Sequence, residues 1–137
     1  DDILKSTSNQ ISLKKALNHF MDLHRNDSPE DIDFYRSQFT ATIQAIYNSV
    51  GENAFKNYSN GKFSKKFHPA IFDSLMVSAY FSISQKNTLP NVSLETHLSL
   101  LADSRFKESI SKRTTDIENI KRRISIAGHT LFGVVLE

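Results

Sequence analysis

With 137 residues, the chain has the length of a single domain that can bury one sizeable hydrophobic core. Apolar residues make up 39% of the chain and charged residues 23%, and no continuous apolar run is long enough for a membrane span. We therefore expect a globular protein with no membrane partner. The net charge of +2 does not by itself indicate a nucleic-acid partner.

The absence of cysteine excludes disulfides, thiolate nucleophiles and zinc sites built on cysteine, and it is typical of a reducing compartment. The chain begins DDILKSTSNQ, with neither an initiator methionine nor the apolar segment of a signal peptide. These features predict a cytoplasmic location. They also lead us to interpret residues 1–137 as a single helical domain from a longer protein.

The first predicted helix lies in SLKKALNHFMDLHR, with Ser12 as its cap and its end near Asn26. Its apolar positions share one face of the helix: Leu13, Leu17, Phe20 and Met21. Acidic residues concentrate at the end of this helix and directly after it, between residues 22 and 33. An amphipathic helix of this kind is expected to pack its apolar face against a neighbour.

A second, longer helix has a clear start signal. Ser28 is a cap residue, Pro29 suits the first helical position, and Glu30 and Asp31 complement the positive end of the helix dipole. An apolar stripe then runs at helical spacing to Val50, before Gly51: Ile32, Tyr35, Phe39, Ile43, Ile46 and Val50. Alanines on the opposite side predict that this helix is packed on both sides.

Residues 61–76, GKFSKKFHPAIFDSLM, interleave basic residues with phenylalanines. This pattern fits a groove for single-stranded nucleic acid, and it equally fits the basic entry to a buried helix. Asn60-Gly61 predicts a tight turn and Pro69 a helix start, which places the lysines on an exposed loop. Phe67 and Phe72 are predicted to pack in the core, whereas Phe63 is left open.

The segment PAIFDSLMVSAYFSI, from Pro69, is apolar nearly all round its axis, which predicts the central helix of a bundle. Two short helices follow, and the spacing of Thr115 and Glu118 predicts a capping box that starts the last helix. No segment alternates convincingly as a strand. The predicted fold is therefore all-α, a single-domain bundle of five or six helices around a central apolar helix.

The sequence carries no recognisable catalytic, nucleotide-binding or metal-binding motif. Its five histidines lack the spacing of metal ligands. We predict no catalytic residue, no metal site and no cofactor in this chain. In the run Lys121-Arg122-Arg123 the side chains spread over about 200° of helix surface and cannot form one patch. Ion pairing and phosphate contact both remain open for this run.

The residues that we consider as candidates for nucleic-acid contact are basic residues in the middle and at the end of the chain: Lys62, Lys65, Lys66, Lys121 and Arg123.

Four blocks resemble, in order and spacing, the helical second half of the GmrSD-type family of bacterial proteins, whose first half carries an Asp-Gly-Gln-Gln-Arg signature. They are ALNHFM at 16–21, FTATIQAIYNSVGENAF at 39–55, KFHPAIFDSLMVSAY at 66–80 and RFKESISKRTTDIENIKRRISIA at 105–127. The resemblance covers almost the whole chain and rests mainly on the succession of the blocks.

The resemblance implies a role in the restriction of phage DNA, with a ParB-like nucleotide-hydrolysing or nuclease half and often an HNH-type nuclease domain. Neither the Asp-Gly-Gln-Gln-Arg signature nor an HNH histidine motif occurs here, so no catalytic residue is transferred. The segment of Thr114, Thr115 and Asp116 looks like the family's turn before its last helix. The resemblance implies that this turn contacts the missing catalytic half.

We therefore expect a non-catalytic helical module of a phage-restriction or DNA-processing protein. Its expected partners are the catalytic half of the same protein and DNA. The alternative is a stand-alone helical domain that binds another protein.

Overall fold

The computed structural model describes residues 13–136, which form six helices and one β-hairpin. The helices are α1 (Leu13–Leu23), α2 (Pro29–Val50), α3 (Pro69–Lys86), α4 (Leu94–Ala102), α5 (Ser104–Ser111) and α6 (Ile117–Phe132). The hairpin consists of β1 (Lys56–Ser59) and β2 (Lys62–Phe67). The expectation of a mostly helical domain with five or six helices is confirmed over these residues.

The strictly all-α prediction is wrong, because residues 56–67 form an antiparallel two-stranded sheet. Ser59 pairs with Lys62, so Asn60 and Gly61 form a two-residue connection with φ angles of 53° and 76°. Both central residues of a type I′ turn need positive φ, which Asn and Gly tolerate best. The predicted turn is present, but it joins two strands rather than leading into a loop.

The start of α2 agrees with its predicted signals. The amide of Asp31 donates to Ser28 Oγ at 3.2 Å, and the amide of Ser28 donates to Asp31 Oδ2 at 3.3 Å. This reciprocal pair is a capping box, which satisfies backbone donors that the first turn leaves unpaired. Gly51 follows the helix with φ 103°, a conformation that favours glycine. The predicted cap of α1, Ser12, lies outside the described residues.

The core forms where α3 packs on α6 and on the C-terminal half of α2. Small residues allow a close approach at the first of these contacts: a Cβ placed on Gly128 of α6 would lie 3.3 Å from Ser78 Cβ of α3. The largest fully buried apolar side chains come from five helices and the C-terminal segment: Phe106, Phe132, Ile46, Ile71, Leu75, Leu100, Leu101 and Val134. That α3 is the central helix stays a prediction.

The aromatic residues around the start of α3 differ from the sequence expectation. Phe67 is 56% exposed and Phe72 is half-buried, so both lie at the edge of the core rather than inside it. Their rings do meet, with centroids 5.2 Å apart, and the ring of Phe55 contacts both. Phe67 and Phe72 flank the first turn of α3 as a hydrophobic staple, which fixes the direction in which the chain enters the helix.

Helix α1 and the N-terminal half of α2 form what we call the arm, residues 14–41, in which no side chain is buried. The apolar stripe of α2 is covered by the rest of the domain from Thr42 onward, where Ile46 is fully buried. Ile32, Tyr35 and Phe39, on the same stripe, are each about half exposed. The prediction that this helix is packed on both sides is therefore wrong for its N-terminal half.

Candidate nucleic-acid interface

Strand β2 carries three of the predicted nucleic-acid contacts, Lys62, Lys65 and Lys66, and all three are exposed. The pairing of the hairpin is irregular: Tyr58 pairs with Phe63 and Lys56 with Phe67, so Ser64, Lys65 and Lys66 together oppose one residue, Asn57. A bulge of this kind breaks the alternation of the strand and bends it. Lys65 and Lys66 are therefore adjacent exposed residues within the bulge of β2. Neither strand of the hairpin contains an acidic residue.

Phe63 has a structural role, which settles what the sequence left open about its packing. Its ring contacts Tyr58 edge-on at a centroid distance of 5.0 Å and stacks on His97 of α4 at 5.5 Å. Phe63 is half-buried and packs against the core. The hairpin thus turns Phe63 and Tyr58 toward the domain and the lysines of β2 toward solvent, which suits contact with a phosphate backbone more than stacking on bases.

Arg123 of α6, another predicted contact, is buried, with 3% of its surface exposed. Its guanidinium binds Asp73 of α3 through two hydrogen bonds, from Nε to Oδ1 at 3.0 Å and from Nη2 to Oδ2 at 2.6 Å. Nη1 donates to the carbonyl oxygens of Thr114 at 2.8 Å and Ser109 at 3.3 Å. Every nitrogen of this guanidinium thus has a partner inside the domain, so Arg123 does not enter the surface proposed below.

The Arg123 cluster, which we define as Arg123, Asp73, Ser109 and Thr114, joins three parts of the fold. Asp73 lies in the second turn of α3, Ser109 is in α5, and Thr114 belongs to the turn before α6. A planar guanidinium can hold a carboxylate and two carbonyl groups at once, whereas a lysine ammonium cannot reproduce that geometry. Asp73 and Arg123 are 50 residues apart, so no local sequence pattern indicates that they are partners.

The predicted inter-domain segment, Thr114, Thr115 and Asp116, forms the turn that leads into α6. Thr114 and Thr115 are exposed, and Asp116 is the N-cap residue of α6. Asp116 makes no side-chain cap hydrogen bond, and its Oδ1 is buried with no hydrogen-bond partner. The capping box predicted at Thr115 is therefore wrong, because α6 begins one residue later than that motif requires. Lys121 is half-buried on α6.

His68, the N-cap residue of α3, lies near the ion pair of the Arg123 cluster. Burial lowers its pKa; the neighbouring carboxylate of Asp73 opposes that change, whereas the positive charge of Arg123 adds to it. Nδ1 of His68 is buried without a hydrogen-bond partner. The neutral imidazole is therefore the form that the fold favours at this position.

His97 of α4 is the buried histidine beneath the hairpin, and burial lowers its pKa. In the unfolded chain the pKa of this imidazole is about 6.5. Below that pH the unfolded chain therefore binds a proton more readily than the buried ring of the folded protein does. Stability is therefore retained above about pH 6.5 and falls as the pH decreases below it, by at most about 1.4 kcal/mol per pH unit for this one group. His97→Leu should flatten the fall between neutral and mildly acidic pH.

Urea unfolding at a series of pH values measures this effect. His129→Gln, on the exposed side of α6, is the control for the loss of a surface histidine. Because His68 is also expected to contribute, His97→Leu should reduce the pH dependence without abolishing it. Parallel profiles for the parent chain and His97→Leu would contradict the assignment to His97.

Residues 13–136 contain no group of three His, Cys, Asp or Glu side chains placed to hold a metal ion. Over the same residues, no helix has both the length and the apolar character that crossing a membrane requires. In comparisons with known proteins, no family model, no curated protein and no solved structure matches this chain. The resemblance to the GmrSD-type family therefore stays a prediction.

Proposed function

We propose that this chain is a non-catalytic helical module of a phage-restriction or DNA-processing protein, and that it contacts DNA through the β-hairpin. The observation that carries this proposal is the basic face of β2, where Lys62, Lys65 and Lys66 are exposed and no acidic residue lies between residues 56 and 68. Three positive charges on one short ribbon attract a phosphate backbone without reading its sequence.

In this proposal the module supports a nucleotide-hydrolase or nuclease half of the same protein, and α3 is its central helix. The exposed turn of Thr114 and Thr115 is the proposed contact with that half. It is a rigid point of attachment, because the carbonyl oxygen of Thr114 accepts a hydrogen bond from the buried Arg123 at 2.8 Å. The Arg123 cluster thus links the proposed contact directly to α3 through Asp73.

DNA binding by the hairpin should show the salt dependence of phosphate contacts. For duplex DNA the logarithm of the affinity falls against the logarithm of salt with a slope of about −0.9 for each phosphate neutralised. Replacing Lys62, Lys65 and Lys66 together by Gln should weaken binding and reduce this slope by about 2–3. Fluorescence anisotropy with labelled DNA over a salt series measures both quantities.

The matched control replaces three exposed basic residues on α5, the following turn and α6, Lys107, Lys112 and Arg122, by Gln, which changes the net charge by the same amount. This control should keep most of the slope. Equal losses in both triple variants would show that the hairpin has no special role. DNA cleavage or nucleotide hydrolysis by the chain, if retained through repeated purification, would contradict the non-catalytic proposal.

A stand-alone protein-interaction domain is the second candidate, and the exposed apolar side chains of the arm favour it. Such an interface excludes water from apolar surface and changes little with salt, whereas phosphate contacts weaken steeply. The salt series therefore separates the two functions. No measurable DNA affinity even at low salt, with the hairpin intact, would favour the second candidate.

A further inference from the structure

The arm exposes an apolar face that continues from α1 onto α2. We define the arm face as Leu17, Phe20, Met21, Ile32, Tyr35 and Phe39, whose exposed fractions run from 47% to 68%. Aromatic contacts connect the two helices: the ring of His24 lies 4.3 Å from Phe20 and 5.4 Å from Tyr35, between centroids. The face is therefore one continuous surface rather than scattered apolar side chains.

The size of the arm face matches what a dimer of this chain needs. Large apolar side chains expose on the order of 200 Å² when free, so six that are about half exposed present roughly 600 Å² per copy. Two such faces bury about 1,200 Å², which is the lower limit for specific and stable interfaces. One further protein copy is sufficient to cover the face.

The charges beside the arm face favour an antiparallel pairing of two copies. Lys14 and Asp22 lie four residues to either side of Asn18 on one flank of α1. A two-fold axis at Asn18 brings Lys14 of each copy opposite Asp22 of the other, where it shares that carboxylate with Arg25 of the same chain as Asp22, whose Nη2 donates to Asp22 Oδ1 at 2.7 Å. An open cavity of about 650 Å³ along this flank, lined by Asn18, Phe20, Met21, Asp22, His24 and Arg25, provides space for side chains of the second copy.

We propose that the arm face is the interface of a symmetric dimer, in which α1 of one copy packs antiparallel on α1 of a second copy. Symmetric dimers are the most common oligomers, and their interface must be complementary to itself. The arm meets this condition, with an apolar centre and opposite charges at equal distances from Asn18. This inference is independent of the proposed DNA contact, since the hairpin lysines are not part of the arm face.

Sedimentation velocity over a dilution series tests the proposal with the chain as it exists. The parent chain should show twice the mass of a single chain at high concentration and dissociate on dilution. Met21→Glu should weaken the dimer by at least about thirtyfold, because each interface contains two copies of the introduced charge. Tyr47→Glu is the matched control: Tyr47 is 60% exposed in the C-terminal half of α2, outside the arm, and its replacement should leave the dimer unchanged.

A charge exchange tests the antiparallel arrangement itself. Lys14→Asp and Asp22→Lys should each weaken self-association, and mixing the two variants should restore a dimer that contains one copy of each. No restoration in the mixture would overturn this arrangement. A single-chain mass at every concentration would overturn the dimer.

The hairpin variant with Lys62, Lys65 and Lys66 replaced by Gln distinguishes a test of the dimer from a test of the proposed DNA contact. It should lose DNA affinity and retain the dimer. Loss of the dimer in this variant would overturn the assignment of the interface to the arm.

Discussion

Replacing Arg123 by Ala should reduce the free energy of unfolding by about 3 kcal/mol or more. The substitution removes the partner of the Asp73 carboxylate and leaves the carbonyl oxygens of Ser109 and Thr114 without their donor. Breaking a buried ion pair from one side leaves desolvated polar groups unsatisfied, and it also creates a cavity here because Arg123 is fully enclosed. Urea unfolding followed by circular dichroism measures the change.

Three further variants test whether the cause is the guanidinium. Arg123→Lys should remain clearly destabilised, since an ammonium cannot make the two parallel bonds to Asp73. Asp73→Asn should also be destabilising, because it leaves the buried guanidinium of Arg123 without its counter-charge, although the amide oxygen can still accept one of the two hydrogen bonds. Lys121→Ala, on the same helix, should change stability by less than about 0.5 kcal/mol. A loss below about 1 kcal/mol for Arg123→Ala would contradict the structural role of this residue.

The sequence was sufficient to predict most of the helices, because their signals are local. Ser28 and Pro29 mark the start of α2 within two residues, and Pro69 does the same for α3. The periodic stripes of α2 and α6 extend over several turns, so a few exceptions do not obscure them. Capping was less predictable: α6 begins after Asp116 although Thr115 and Glu118 have the spacing of a capping box.

The hairpin was missed because its strands are short and its alternation is interrupted. The bulge places Ser64, Lys65 and Lys66 opposite Asn57, so the period of two residues fails within β2. A signal was nevertheless present. Asn60-Gly61, flanked by Tyr58 and Phe63, is the dipeptide that most strongly favours a two-residue hairpin connection, and it was interpreted as a turn alone.

The partner of Arg123 could not be predicted, because Asp73 is 50 residues away along the chain. The helical angle between Lys121 and Arg123 correctly excludes a single patch, but it does not indicate which of the two is buried. That depends on tertiary packing, which brings the second turn of α3 beside α6. The exposed arm has a similar explanation, since periodicity predicts an apolar face but not what covers it.

The second large effect is expected for Phe106 of α5, which is fully buried. Replacing Phe106 by Ala should reduce the free energy of unfolding by about 3–5 kcal/mol, because the lost burial is accompanied by a cavity that a short helix between α4 and α6 cannot easily fill. Urea unfolding measures the loss, and the transition should remain cooperative.

Phe72→Ala is the matched comparison, since the same atoms are removed from a ring that is only half-buried against Phe55 and Phe67. Its loss should be clearly smaller, because part of that ring already contacts water and less apolar area is returned to solvent. The order of the two losses therefore tests where the core lies. A larger loss for Phe72→Ala than for Phe106→Ala would contradict the placement of Phe106 inside the core and of Phe72 at its edge.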